Sequence, residues 1–115
     1  MEFIINKNAT LPIMLLDVIN NGRYFNSKIY EMIQNSDIRF SMYRAVDNVK
    51  VISNKPALVT SKENEEGNDQ YYIGYQFSEK ETKNEGKYIG EFIITFFDKG
   101  KLIVPIKENL FIYIK

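Results

Sequence analysis

The chain has 115 residues, 44% of them hydrophobic and 26% charged, a composition typical of one globular domain rather than of a disordered chain. It contains neither cysteine nor histidine, which excludes disulfides, thiolate metal sites and histidine-based acid–base chemistry. Its 15 basic and 15 acidic residues cancel, so no net positive field favours nucleic acid or anionic lipid. No export signal is evident at the first residues, and the longest apolar run is far below the ~20 residues that cross a bilayer. We therefore expect a single domain over residues 1–115 with no membrane contact.

Short apolar alternations separated by turn residues predict strands through the first half of the chain. The first strand is predicted over residues 11–16, where both faces are apolar, and we assign Leu15 to the core. One short helix is predicted over residues 27–34, with Ser27 as its N-cap. Further strands are predicted over residues 38–43, 49–52 and 57–61, and Pro56 is expected to open the last of these.

The second half of the chain has the clearer strand patterns. A polar loop is predicted over residues 62–70, then strands over residues 71–77, 88–96, 102–104 and 110–114. Seven or eight short strands with turns between them predict an all-β sandwich or barrel. The predicted core consists of the residues that share the inner face of their strands: Leu15, Phe40, Tyr75, Phe92, Ile94 and Phe96.

The segment from Asn84 to Gly90 indicates which kind of sandwich this is. In immunoglobulin domains a corner tyrosine lies two residues before the second cysteine, and its hydroxyl bonds to the backbone upstream. Gly86 can supply the bend, Tyr88 has the position of that tyrosine, and Gly90 has the position of the cysteine. We therefore predict structural roles for Gly86, Tyr88 and the core residue Phe92. A ligand contact by Tyr88 is the less favoured alternative.

Two acidic clusters could suggest chemistry. The first could be a calcium loop and consists of Glu63, Glu65, Glu66 and Asp69. Its spacing lacks the alternating ligands of such loops. The second could hold the acid–base pair of a glycoside hydrolase and consists of Glu79, Glu81 and Glu85. It lies in a lysine-rich turn with no sign of a pocket that would raise the pKa of one carboxyl group. We predict solvated loops for both, and no catalytic residue, metal ligand, cofactor or small-molecule substrate.

The N-terminal segment is apolar and is separated from the next strand by polar residues. One hypothesis makes residues 1–7 a docking segment that adds a strand to a neighbouring protein, with Phe3 and Ile5 in its pockets. The alternative is that the segment folds back as an edge strand of its own sandwich. The sequence leaves both open.

Three stretches carry a resemblance to a known family. They are residues 37–43, residues 55–57 and residues 86–100, the last reading G-x-Y-x-x-E-F-x-I-x-F before a glycine turn. The chain resembles immunoglobulin-like domains of tailed-bacteriophage structural proteins, in particular the N-terminal domain of siphophage upper baseplate proteins. The helix predicted over residues 27–34 departs from that pattern.

The resemblance implies a non-enzymatic structural protein of a bacteriophage virion. It would be present in several copies, assembled in the host cytoplasm, and bound to other virion proteins in the tail, neck, baseplate or fibre-attachment region, without nucleic acid. The alternative hypothesis is a monomeric carbohydrate- or protein-binding module of bacterial origin.

Overall fold

The fold is that of a computed structural model, which describes residues 1–17, 33, 35–63, 65–67, 69–105 and 108–115. Strands occupy most of this part of the chain. They are β1 (Glu2–Ile5), β2 (Met14–Asp17), β3 (Asp37–Arg44), β4 (Lys50–Pro56), β5 (Leu58–Glu63), β6 (Asp69–Tyr75), β7 (Gly86–Thr95), β8 (Lys101–Val104) and β9 (Leu110–Ile114).

The strands form two sheets that pack as a sandwich. The larger sheet has the order β1-β9-β7-β3-β4, with β8 also paired to β7, and the smaller has the order β2-β6-β5. The prediction of an all-β sandwich is confirmed at this level. The helix predicted over residues 27–34 lies outside the described residues, apart from Ile33, which is buried.

Strand β7 organises the larger sheet. It pairs with β3 along its length, from Tyr88 opposite Arg44 to Thr95 opposite Asp37. On its other edge, the first half pairs with β9 and the second half with β8. From Tyr88 onward its burial alternates, as expected when one face of a strand covers a core. The two ends of β7 therefore mark the two ends of this sheet.

The core forms around Phe40, where rings from both sheets meet. The ring centroid of Phe40 lies 4.5 Å from that of Tyr75, 5.8 Å from that of Phe77 and 4.9 Å from that of Phe92. Such offset and tilted ring pairs add stabilisation beyond the area they bury. The predicted core residues Phe40, Tyr75, Phe92 and Ile94 are buried, and Phe96 is half-buried against them.

The assignment of Leu15 to the core is wrong. Its neighbours Met14 and Leu16 are buried, and Leu15 lies half-buried on the opposite face of β2. There it pairs with Gly74 of β6, and a Cβ atom on that glycine would lie only 2.7 Å from Cδ2 of Leu15. The leucine therefore covers the space that a glycine leaves open. A second correction concerns Pro56, which ends β4 instead of opening the following strand.

The positions of Phe3 and Ile5 agree with the fold-back alternative for the N-terminal segment. Strand β1 pairs in parallel with β9, so the segment completes its own sheet. Ile5 is 1% exposed, and the ring of Phe3 stacks on that of Phe77 at a centroid distance of 6.1 Å. Both side chains are therefore occupied within the chain, as the fold-back alternative requires.

Candidate protein interface

Tyr88 links the start of β7 to the segment before it. Its hydroxyl donates a hydrogen bond to the backbone carbonyl oxygen of Asn84 at 2.8 Å, and its ring is buried. Gly86 lies between them with φ of 151°, a conformation that favours glycine. Burial raises the pKa of Tyr88, although the positive charge of Arg44 opposes this shift. The raised pKa keeps the phenol protonated, so it remains a hydrogen-bond donor.

Gly90 makes room for the central rings of the core. A Cβ atom there would lie 2.8 Å from Cδ1 of Ile112 and 3.0 Å from Cε1 of Phe40. Real Cβ atoms need more space than this, so the absence of a side chain allows Phe40 to approach β7. Phe92, two residues further along, then packs against the same ring.

The turn after β6 holds a carboxylate between the two sheets. The backbone N–H of Ser78 donates to Oε1 of Glu81 at 2.9 Å, and the N–H of Glu81 donates to Oγ of Ser78 at 3.3 Å. This reciprocal pair is the capping-box arrangement that closes a helical turn. The other carboxylate oxygen accepts the Tyr75 hydroxyl at 2.6 Å and lies 3.3 Å from Nζ of Lys55. Glu81 thus joins β6 of the smaller sheet to β4 of the larger one.

The charge state of this cluster favours structure over acid catalysis. Burial acts to raise the pKa of Glu81, but the hydrogen bonds from Tyr75, Ser78 and Lys55 outweigh it and lower the pKa. Burial, reinforced by the hydrogen bond to this carboxylate, raises the pKa of Tyr75. A general acid for glycoside hydrolysis needs a raised carboxyl pKa, which is the opposite shift. The other two carboxylates of this set, Glu79 and Glu85, are exposed.

The acidic cluster that was considered as a calcium loop joins β5 to β6. Glu63 ends β5 and Asp69 begins β6, while Glu65 and Glu66 are exposed between them. Among the residues that the structure describes, no three acidic side chains are grouped as metal ligands would be.

Lysines cover the aromatic rings on the outer face of the larger sheet. Nζ of Lys87 lies 4.3 Å from the ring centroid of Phe111 and 5.9 Å from that of Tyr113. Similarly, Lys50 lies 5.4 Å from the ring of Tyr43. Each of these cation–π contacts places a lysine ammonium group over an aromatic ring of this sheet.

The most exposed aromatic residue of the described chain lies between β7 and β8. Phe97 is 97% exposed at a turn that we call the hairpin tip, residues 96–100. The tip is closed by a backbone hydrogen bond of 2.8 Å from Phe96 to Gly100, and Asp98 accepts the Gly100 N–H at 2.9 Å. A hydrogen-bonded turn therefore presents one bare phenyl ring. The alternation of β7 could have predicted this exposure, because Phe96 faces inward and the next residue, Phe97, must then face outward.

An open groove lies at the opposite end of the larger sheet, between the β3–β4 turn and the start of β7. We call it the end groove; it measures about 440 Å³, and its walls are mostly apolar. Its lining consists of Arg44, Ala45, Val46, Glu85, Gly86, Lys87 and Tyr88. Val46 is 90% exposed at its rim. No sequence pattern predicts this groove, since it forms only when the β3–β4 turn folds beside β7.

The chain matches no protein-family model, no curated protein and no solved structure. Within the described residues, no helix is both long and apolar enough to span a membrane. The function must therefore be inferred from the residues and their geometry.

Proposed function

We propose that the chain is an immunoglobulin-like domain that serves as a non-enzymatic structural protein of a bacteriophage virion, acting through protein–protein contacts. Two features support the immunoglobulin-like assignment. The orders β9-β7-β3-β4 and β2-β6-β5 correspond to the G-F-C-C′ and B-E-D orders of immunoglobulin sheets. The hydrogen bond from Tyr88 to Asn84, two residues before Gly90, has the form of a tyrosine corner.

The observation that carries the binding role is the exposure of Phe97. Burying a phenylalanine side chain stabilises by about 1.5–3 kcal/mol, and aromatic residues are enriched in the buried centres of protein interfaces. Because the backbone of the turn is already closed by hydrogen bonds, binding has to order only the ring itself. Phe97 is thus suited to anchor a protein contact.

The virion setting is supported by the resemblance of residues 37–43, 55–57 and 86–100 to phage structural domains. A building block of that kind needs surfaces that contact neighbouring subunits, and it occurs in several copies per particle. Among the described residues, the hairpin tip and the end groove are two exposed surfaces available for such contacts.

Mass spectrometry of purified particles from the phage that carries the gene tests this proposal. We expect the chain in a fixed copy number relative to the major capsid protein. Phe97→Ser should reduce incorporation, whereas Val51→Ser, a matched change of a 43% exposed residue on β4, should not. Absence of the wild-type chain from washed particles would refute the virion role.

A further inference from the structure

We propose that this chain binds a second copy of itself head to tail, with the hairpin tip of one copy inserting Phe97 into the end groove of the next. This inference rests on the proposed role in protein–protein contacts and names the partner. It requires that the two surfaces lie apart, match in size and chemistry, and carry compatible charge.

The two surfaces lie at opposite ends of β7. The strand begins at Gly86, in the wall of the end groove, and ends at Thr95, two residues before Phe97. A ten-residue strand spans roughly 30 Å at about 3.3 Å per residue. Phe97 therefore cannot reach the groove of its own chain, so the contact must form between two molecules.

The groove suits a phenyl ring in size and in chemistry. Its volume of about 440 Å³ lies within the roughly 300–1,000 Å³ typical of small-ligand pockets. Small residues keep it open, since Gly86 has no side chain and Ala45 has one methyl group. Tyr88 also lines the groove but is only 4% exposed, so an inserted ring would pack against the side chains of Ala45 and Val46.

The charges around the two surfaces are complementary. Asp98 and Lys99 flank Phe97 on the tip, while Lys87 and Glu85 lie at the groove, where Arg44 is already paired with Asp47 at 3.0 Å. The carboxylate of the tip would thus approach Lys87, and its ammonium group would approach Glu85. The zero net charge of the chain also removes the long-range repulsion that would oppose stacking of identical copies.

A contact between two different surfaces of the same protein is heterologous. It generates a closed ring if the rotation between copies closes, and an open chain if it does not. Both arrangements agree with a subunit that occurs in several copies per particle.

Sedimentation velocity of the purified chain over a concentration range tests the inference. We expect reversible association of the wild-type chain, and an apparent dissociation constant raised at least about tenfold by Phe97→Ser. Ala45→Trp, which fills the groove, should have the same effect. Ile103→Ser, which alters a 53% exposed residue on β8, serves as the matched control and should associate like the wild type.

Mixing the two defective variants gives the sharper result. Phe97→Ser keeps its groove and Ala45→Trp keeps its tip, so the mixture should form one-to-one dimers and nothing larger. Circular dichroism melts establish that both variants fold; if Ala45→Trp does not, Val46→Glu at the exposed rim replaces it.

Three outcomes would overturn the inference: a monomeric wild-type chain at its highest soluble concentration, association that survives both substitutions, or a mixture that forms no dimer. None of these alters the expected presence of the chain in particles, so failure of the head-to-tail contact is distinguishable from failure of the virion role.

Discussion

At the scale of single residues, the start of β7 depends on contacts between residues that are close in the sequence. Tyr88 reaches a carbonyl only four residues upstream, and Gly86 supplies the bend between them. Gly90 then leaves space for the ring of Phe40. Sequence spacing could indicate the first of these relations because it is local. It could not indicate the second, because Phe40 lies 50 positions away and approaches only through the pairing of β3 with β7.

Tyr88→Phe removes one partly buried hydrogen bond and keeps the ring. We expect a loss of about 0.5–1.5 kcal/mol in the free energy of unfolding, measured by urea denaturation. Tyr113→Phe is the control, because the Tyr113 hydroxyl makes no hydrogen bond within the described residues. Equal stability of Tyr88→Phe and wild type would show that the corner hydrogen bond contributes nothing.

Gly90→Ala should destabilise the core by overpacking, by about 1–3 kcal/mol. The added methyl group would press on Cδ1 of Ile112 and on the ring of Phe40. Ile112→Val removes that Cδ1 atom and should by itself cost about 0.5–1.5 kcal/mol. The double variant should therefore be more stable than the sum of the two losses predicts, a coupling that urea denaturation of all four proteins measures. Additive losses would place the clash elsewhere.

At the scale of strands, the sequence predicted an element well where one face was apolar and the other polar. Strand β3 alternates in this way, and β7 does so except for Ile89 and Ile93 on its outer face. The inner faces of both strands are the predicted ones. Strand β2 is apolar on both faces, so alternation alone could not choose between Leu15 and Leu16. The choice depends on Gly74 of β6, which offers Leu15 a place on the outer face.

Strand β1 offers a matched pair of neighbouring isoleucines. Ile5 is 1% exposed and Ile4 is 52% exposed. Ile5→Ala should therefore cost about 2–5 kcal/mol, whereas Ile4→Ala should change stability by no more than about 0.5 kcal/mol. Thermal unfolding of the isolated variants tests this. Similar losses from both would mean that β1 does not pack on the core in solution and would revive a docking role for it.

At the scale of the whole molecule, the two sheets are joined by polar contacts as well as by the core. Lys55 of the larger sheet and Tyr75 of the smaller one both contact Glu81. Thr82 beside it is buried, and its hydroxyl donates to the carbonyl oxygen of Ala9 at 2.9 Å. The sequence placed Glu81 in a solvated turn, because the residues that surround it come together only after both sheets have formed.

The cluster around Glu81 makes the free energy of unfolding depend on pH in the acidic range. The pKa of Glu81 is lowered in the folded state from an ordinary value of 4.5, so its contribution is complete above that value and is lost as pH falls through the folded pKa. Glu81→Gln should destabilise the protein near pH 7, and the stability gap between variant and wild type should narrow as the pH falls below 4.5 and through the lowered pKa of Glu81. Glu79→Gln serves as the control, because that side chain is exposed in the same turn and makes no hydrogen bond within the described residues. Chemical denaturation at several pH values measures the gap. A gap that stays constant with pH would show that the carboxylate charge does not stabilise the junction of the two sheets, and that Glu81 acts there only through its size.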